Sequence, residues 1–246
     1  MSAPTSTPTR SDDAALSRST IYQALAIAFG PPGDDAGRRV ASARGWQRLC
    51  AALEQLGVER PAGPRQQAFA TLLQRYAEIF GHTARGRVSP YETEYGSEAS
   101  LFLAAHELCD IGAFIAAFGL VLDDTAHERV DHVRVECELM AFLALKEVYA
   151  RESSDAEMLE TTRHAQRFFL RDHLGRFAPA LGEQLAAHDR DGFYGALGLV
   201  LRRFVEAECA RLSVPAGPAD LALRLIVDDG APSACGSCDT ASPSCT

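Results

Sequence analysis

Apolar positions recur at helical spacing along almost the whole chain. Trp46, Leu49, Cys50, Leu53 and Leu56 fall at i, i+3, i+4, i+7 and i+10, and Phe69, Leu72, Leu73, Tyr76 and Phe80 repeat the pattern. Such spacing lays one apolar stripe along each helix, and the stripe must be buried against another helix. No run of β-branched residues alternates with period two, so no sheet is expected. The predicted fold class is all-α, a helical bundle of about eight or nine helices. The first runs over Asp12–Phe29, with Ser11 as N-cap and Gly30-Pro31-Pro32-Gly33 as its stop. Further helices are predicted over Ala36–Leu56, Pro64–Gly81, Glu98–Phe118, Asp131–Arg151, Asp155–His173, Arg176–His188 and Asp191–Leu212, and a short one over Pro218–Val227.

The ends differ from this pattern. Residues 1–10 are Ser/Thr/Pro-rich without an apolar core, and they read as a flexible N-terminus rather than a secretory signal. Residues 228–246 are rich in Gly, Ser, Pro, Ala and Cys, and read as a flexible tail with too little apolar surface to order itself. Residues 11–227 are taken as one helical domain. Val121–Val130 reads as a hinge between its halves, but it holds neither Pro nor Gly to mark a boundary. No repeat at a fixed period is present.

Charge and composition narrow the function. Hydrophobic residues make up 47% and charged residues 23% of the 246, and the net charge is -9. An acidic chain lacks the basic face of a nucleic-acid binder and favours a basic partner such as an Arg-rich peptide. The longest apolar region, Leu101 to Leu122, carries His106, Glu107 and Asp110 at mid-span, which argues against stable membrane insertion. A cytoplasmic, non-exported protein is the default expectation. The seven cysteines form two groups. Cys50, Cys109, Cys137 and Cys209 sit within helical patterns as small apolar residues, whereas Cys235, Cys238 and Cys245 crowd the tail. Cys235-Gly-Ser-Cys238 is a metal-chelating or redox spacing, with Cys245 as a third candidate ligand, but a full zinc site needs a fourth.

Three stretches carry candidate chemistry. In Glu128-Arg-Val-Asp131-His132-Val-Arg-Val-Glu136-Cys-Glu138, Asp131 stands where an N-cap accepts backbone N–H groups. Glu128, His132 and Glu136 are four apart and share one face if all are helical. One reading is a cap plus a surface His–carboxylate pair. The other is a polar patch at the mouth of a groove, with His132 biased toward its charged form and the carboxylates binding arginines. In Ser89-Pro90-Tyr91-Glu92-Thr93-Glu94-Tyr95-Gly96, the two tyrosines either pack on the core or offer stiff contact surface to a peptide. In Phe168-Phe169-Leu170-Arg171-Asp172-His173-Leu174-Gly175-Arg176-Phe177-Ala178-Pro179, His173 reads as a helix-end residue rather than a ligand. No Gly-rich phosphate loop, Gly-x-Ser-x-Gly elbow, His-Glu-x-x-His site or paired Glu-x-x-His is found, so no enzyme is expected.

In this order, the three stretches resemble the signature of the TorD/DmsD/NarJ family of molybdoenzyme maturation chaperones, over about residues 16 to 212. The matches are Pro90, Tyr91, Glu92 and Tyr95, then Asp131, His132, Glu136, Glu138 and Met140, then Phe169, His173, Leu174 and Pro179, with Phe193, Tyr194, Phe204 and Glu208 in the closing helix. Val130 replaces a usual Pro, Leu139 a Phe and Phe177 a Trp.

The resemblance implies a cytoplasmic chaperone. It would bind the twin-arginine leader or the body of a molybdopterin-containing catalytic subunit and hold it for cofactor insertion before export. Phe80, Tyr91 and Tyr95 are then candidates for apolar contact, Glu92, Asp131, Glu136 and Glu138 for the arginines, and His132 for gating. The chain would work as a monomer or homodimer without a required cofactor. The alternative is a metal-delivery or thiol-redox assembly factor acting through the tail cysteines.

Overall fold

The computed structural model describes residues 10–33, 35–65, 69–81, 86–96, 101–122 and 128–224. The tail cysteines Cys235, Cys238 and Cys245 lie outside the described residues. Nine α-helices are present among them: α1 (Arg10–Phe29), α2 (Asp35–Ala41), α3 (Ala43–Gln55), α4 (Phe69–Phe80), α5 (Leu101–Ala117), α6 (Val133–Glu152), α7 (Ala156–Asp172), α8 (Leu174–His188) and α9 (Phe193–Arg211). A 3₁₀ turn spans Glu92–Glu94. No strand occurs among the described residues, and only two isolated β-bridges do, Tyr91 with His132 and Tyr95 with Leu223. None of the described helices is long and apolar enough to cross a membrane.

The first helix starts at Arg10, so Ser11 lies inside it and is not its N-cap, and two further expected elements differ. The predicted Ala36–Leu56 helix is broken into α2 and α3 at Ser42, whose hydroxyl accepts the Gly45 N–H at 3.1 Å and starts a new helix there. The helix expected at Pro218–Val227 is absent over its described part. Residues 222–224 run extended instead, with Gly96 N–H bonded to Ala222 C=O (2.9 Å) and Arg224 N–H to Glu94 C=O (2.7 Å).

Two helix pairs organise the packing. α1 and α6 run antiparallel: Ser19 Oγ bonds Ala141 C=O at 3.0 Å near the middle, while Gly30 at the end of α1 lies against Arg134 at the start of α6. α8 and α9 form a tight hairpin in which Gly182 and Gly198 face each other so closely that a Cβ on either would meet the other's carbonyl oxygen. α7 joins the two pairs. It opens on Asp155, whose carboxylate accepts the Met158 N–H at 2.9 Å, and it ends at His173. Tyr22, Phe29, Phe169, Phe177 and Phe204 are fully enclosed between these helices. Each contributes roughly 1.5–3 kcal/mol of apolar burial.

A buried polar network ties α1, α6, α7 and α9 together. Glu147 accepts from Arg18 (2.9 Å), Arg151 (2.9 Å), Arg163 (3.2 Å) and Gln166 (3.1 Å). Arg211 links Gln166 to Glu208. Burial disfavours the Glu147 anion, but the Arg18 charge, the hydrogen bonds from Arg151 and Gln166 and the Arg211 charge outweigh it and hold the carboxyl at about 2.

Candidate functional site

The loop 89–96 is fastened to the entry of α6 by main-chain bonds. Val133 N–H donates to Pro90 C=O at 2.8 Å, and Glu92 N–H to Asp131 C=O at 2.9 Å. Because Tyr91 pairs with His132 in this bridge, its neighbours Pro90 and Glu92 both turn toward α6. The Asp131 side chain completes the junction. It accepts Thr93 Oγ1–H at 2.7 Å, Thr93 N–H at 3.3 Å, and Arg129 through Nε (3.0 Å) and Nη2 (2.7 Å). Asp131 is therefore a clamp on the loop and not the cap of α6. The cap is His132, whose Nδ1 accepts the Arg134 N–H at 3.0 Å.

That hydrogen bond decides the state of His132. Nδ1 is an acceptor, so the neutral ring carries its proton on Nε2, which lies 4.0 Å from Glu128. Burial, then the charges of Arg134 and Arg129, push the imidazole pKa down to about 3. The expected bias of His132 toward a charged form is thus overturned: the residue is 2% exposed, and burial together with the charges of Arg134 and Arg129 disfavours the imidazolium. The predicted common helical face of Glu128, His132 and Glu136 also fails, because α6 begins only at Val133.

Outside this junction lies a half-exposed patch. The Tyr91 ring meets His132 edge-on at 5.1 Å, the Arg129 guanidinium stacks 4.4 Å above it, and its hydroxyl points at Glu128 Oε1 at 3.4 Å. Beneath the loop lies an acidic cleft between α5 and the start of α8. Glu92, 1% exposed, faces His173 Nδ1 at 3.2 Å and Arg176 Nη1 at 3.3 Å. Glu107 of α5 takes Arg176 at 3.3 Å and both Nη atoms of Arg224, at 3.0 and 3.1 Å. Asp110 stands 3.9 Å from His173 Nε2. Burial raises the Glu92 pKa, opposed by the hydrogen bond and charge of His173 and by Arg176.

Glu136 borders this cleft. It is fully enclosed, with the Glu92 carboxylate as its hydrogen-bond partner. Burial, followed by the negative charges of Glu92 and Asp131, drives its pKa well above the usual carboxylate range. A fully enclosed carboxyl group is out of reach of a peptide arginine.

The structure thus brings Tyr91, Glu92, Asp131, His132 and Glu136 around one loop. It sets the other candidates elsewhere. Tyr95 is buried, with its hydroxyl on Ser89 C=O at 2.7 Å and its ring beside Phe177. Phe80 packs in an aromatic cluster with Phe29, Tyr76 and Tyr194. Glu138 is exposed on the opposite face of α6 from Glu136, since residues two apart on a helix diverge, and it lines a groove with Arg134 and Phe142 against α1. Glu107, His173, Arg176 and Arg224 were not singled out as binding residues. Glu107 left a signal, a carboxylate inside the longest apolar stretch, where an acid stays buried only if paired.

Residues 40–183 match the family model described as the nitrate reductase delta subunit. The chain is 28% identical over 148 residues to the chaperone protein TorD of Photobacterium profundum, covering 60% of this chain and 67% of that one. It is 31% identical over 192 residues to the selenate reductase assembly chaperone protein of Thauera selenatis, covering 78% and 87%. It is 30% identical, over the same length and shares, to the chlorate reductase assembly chaperone protein of Ideonella dechloratans.

Proposed function

From the premise that this chain belongs to the nitrate reductase delta subunit family, with TorD and the reductase assembly chaperones among its relatives, we propose that it is a maturation chaperone for a molybdopterin-containing oxidoreductase. In this reading it binds the arginine-bearing leader of the client's catalytic subunit. It performs no reaction of its own. It shields the leader while the client's cofactor is inserted, and acts before export, in the cytoplasm.

The observation that carries this reading is the acidic cleft under loop 89–96. Glu92 and Glu107 already hold guanidinium groups there, and Glu107 does so through two parallel N–H···O bonds. Fork-to-carboxylate pairing of this kind selects arginine over lysine, because the planar guanidinium matches the carboxylate and an ammonium does not. The stacked Tyr91–Arg129 pair at the cleft's neighbouring surface supplies an aromatic face for the apolar part of a leader.

The test is a titration with a synthetic peptide carrying two consecutive arginines followed by an apolar stretch, read by fluorescence anisotropy. The expected result is saturable binding, weakened at least about tenfold in E107Q, the loss of one buried charge-assisted pair, and weakened similarly when the peptide arginines become lysines. Equal affinity for the lysine peptide would overturn the reading.

A further inference from the structure

The acidic cleft is not empty of peptide. Residues 222–224 of this chain lie along the loop in an extended conformation, and their two main-chain bonds to Gly96 and Glu94 are those a sheet edge makes to an added strand. Arg224 then turns inward. Its side chain is 9% exposed and lies fork-on to Glu107, which also takes Arg176. Gly96 has φ +133, and a Cβ there would come within 3.1 Å of the Arg224 guanidinium, so a side chain at 96 would crowd the seated arginine.

We propose that residues 222–224 are an internal stand-in for the client, and that the cleft formed by loop 89–96, Glu107 and Arg176 is the receptor for an extended, arginine-bearing leader segment that must displace Arg224 to bind. The inference rests on the function proposed above, and adds the mode of recognition and the competitor.

The chemistry is self-consistent. A strand-like pairing supplies affinity without regard to sequence, and Glu107 supplies the demand for arginine. With Arg224 seated, only the fraction of molecules with an open cleft is competent, so the apparent affinity for leader is reduced by that fraction.

The test uses the full chain and the same diarginine peptide. Amide hydrogen exchange at Arg224, whose N–H is held by Glu94 C=O, is measured with and without saturating peptide. Displacement predicts faster exchange at Arg224 in the complex. R224A is expected to bind the peptide at least about tenfold more tightly, since the competitor is gone. R224K, which keeps the charge but not the fork, should fall between. Arg224 protection unchanged at saturation would overturn the displacement while leaving the chaperone reading intact. Tighter binding absent from an R224A protein whose thermal unfolding matches the wild type would do the same. No binding of peptide to wild type or R224A would overturn both.

Discussion

Replacing Glu136 with methionine removes a carboxyl group that is fully enclosed beside Glu92. Methionine is close in volume and adapts to irregular space, so the cavity cost is small. Two effects favour the variant. The first is removal of a polar group from a fully enclosed site, offset in part by loss of its hydrogen bond to Glu92. The second is a proton linkage. Enclosure and the charges of Glu92 and Asp131, opposed only in part by Arg176, keep the folded Glu136 protonated well above its ordinary 4.5. The unfolded chain releases that proton once pH passes 4.5, and the folded chain does not. The contribution of Glu136 is therefore fully present below 4.5 and is lost as pH rises toward the folded value, by up to about 1.4 kcal/mol per pH unit. E136M abolishes this slope. Urea unfolding followed by circular dichroism at pH 5, 6 and 7 should show the variant more stable than wild type, by a gap that widens with pH. In thermal scans the gap grows by roughly 3–5 °C per pH unit for a chain of this size. A gap constant across pH, or a variant less stable than wild type at pH 7, would refute the raised Glu136 pKa.

Three further outcomes follow from the geometry. His132, held near 3 by burial and two arginines, should show no NMR titration between pH 5 and 8 and an Nε2–H tautomer. Its contribution to stability is present above the unfolded value of about 6.5 and is lost as pH falls from there toward 3, so H132N, which keeps a capping side chain, should resist acid unfolding better than wild type. D131A removes the acceptor shared by Thr93 and Arg129. It should cost about 2–3 kcal/mol in urea unfolding and raise amide exchange in residues 91–95. E147A leaves the buried Arg18 without its nearest carboxylate and should cost about 3–5 kcal/mol, while leaving peptide affinity within about twofold because no site residue contacts it.

The helices were legible because each must bury one stripe, and periodic apolar residues report that stripe directly. The break at Ser42 was not, because Val40, Trp46, Leu49 and Leu53 continue the periodicity across it and only the short-range bond from Gly45 to Ser42 separates the two helices. The loop 89–96 and the Asp131–His132 entry were both visible as motifs, but their roles were not. Asp131 looked like a cap because the nearest backbone N–H groups are those of α6, yet its partner is Thr93, 38 residues away. His132 looks chargeable because its sequence neighbours include carboxylates, whereas the ring is buried and the charges of Arg134 and Arg129 act against the imidazolium.

The short helix expected over Pro218–Val227 does not form over its described part. What intervenes is an open stretch of main chain at 94–96 and a carboxylate at 107, both distant in sequence. The same misreading runs through the whole cleft. By composition, Glu92, Glu107, Glu136, His173 and Arg224 are each surface residues. They become buried only as a set: Arg176 and Arg224 neutralise Glu92 and Glu107, His173 bridges Glu92 toward Asp110, and burial together with the Glu92 charge pushes Glu136 toward its protonated form. A set of this kind tolerates exchange of one guanidinium for another, since the charge balance is unchanged by the swap. That tolerance would let a leader arginine replace Arg224 at little electrostatic cost, whereas a neutral or lysine-bearing segment would leave the Glu107 fork unmatched.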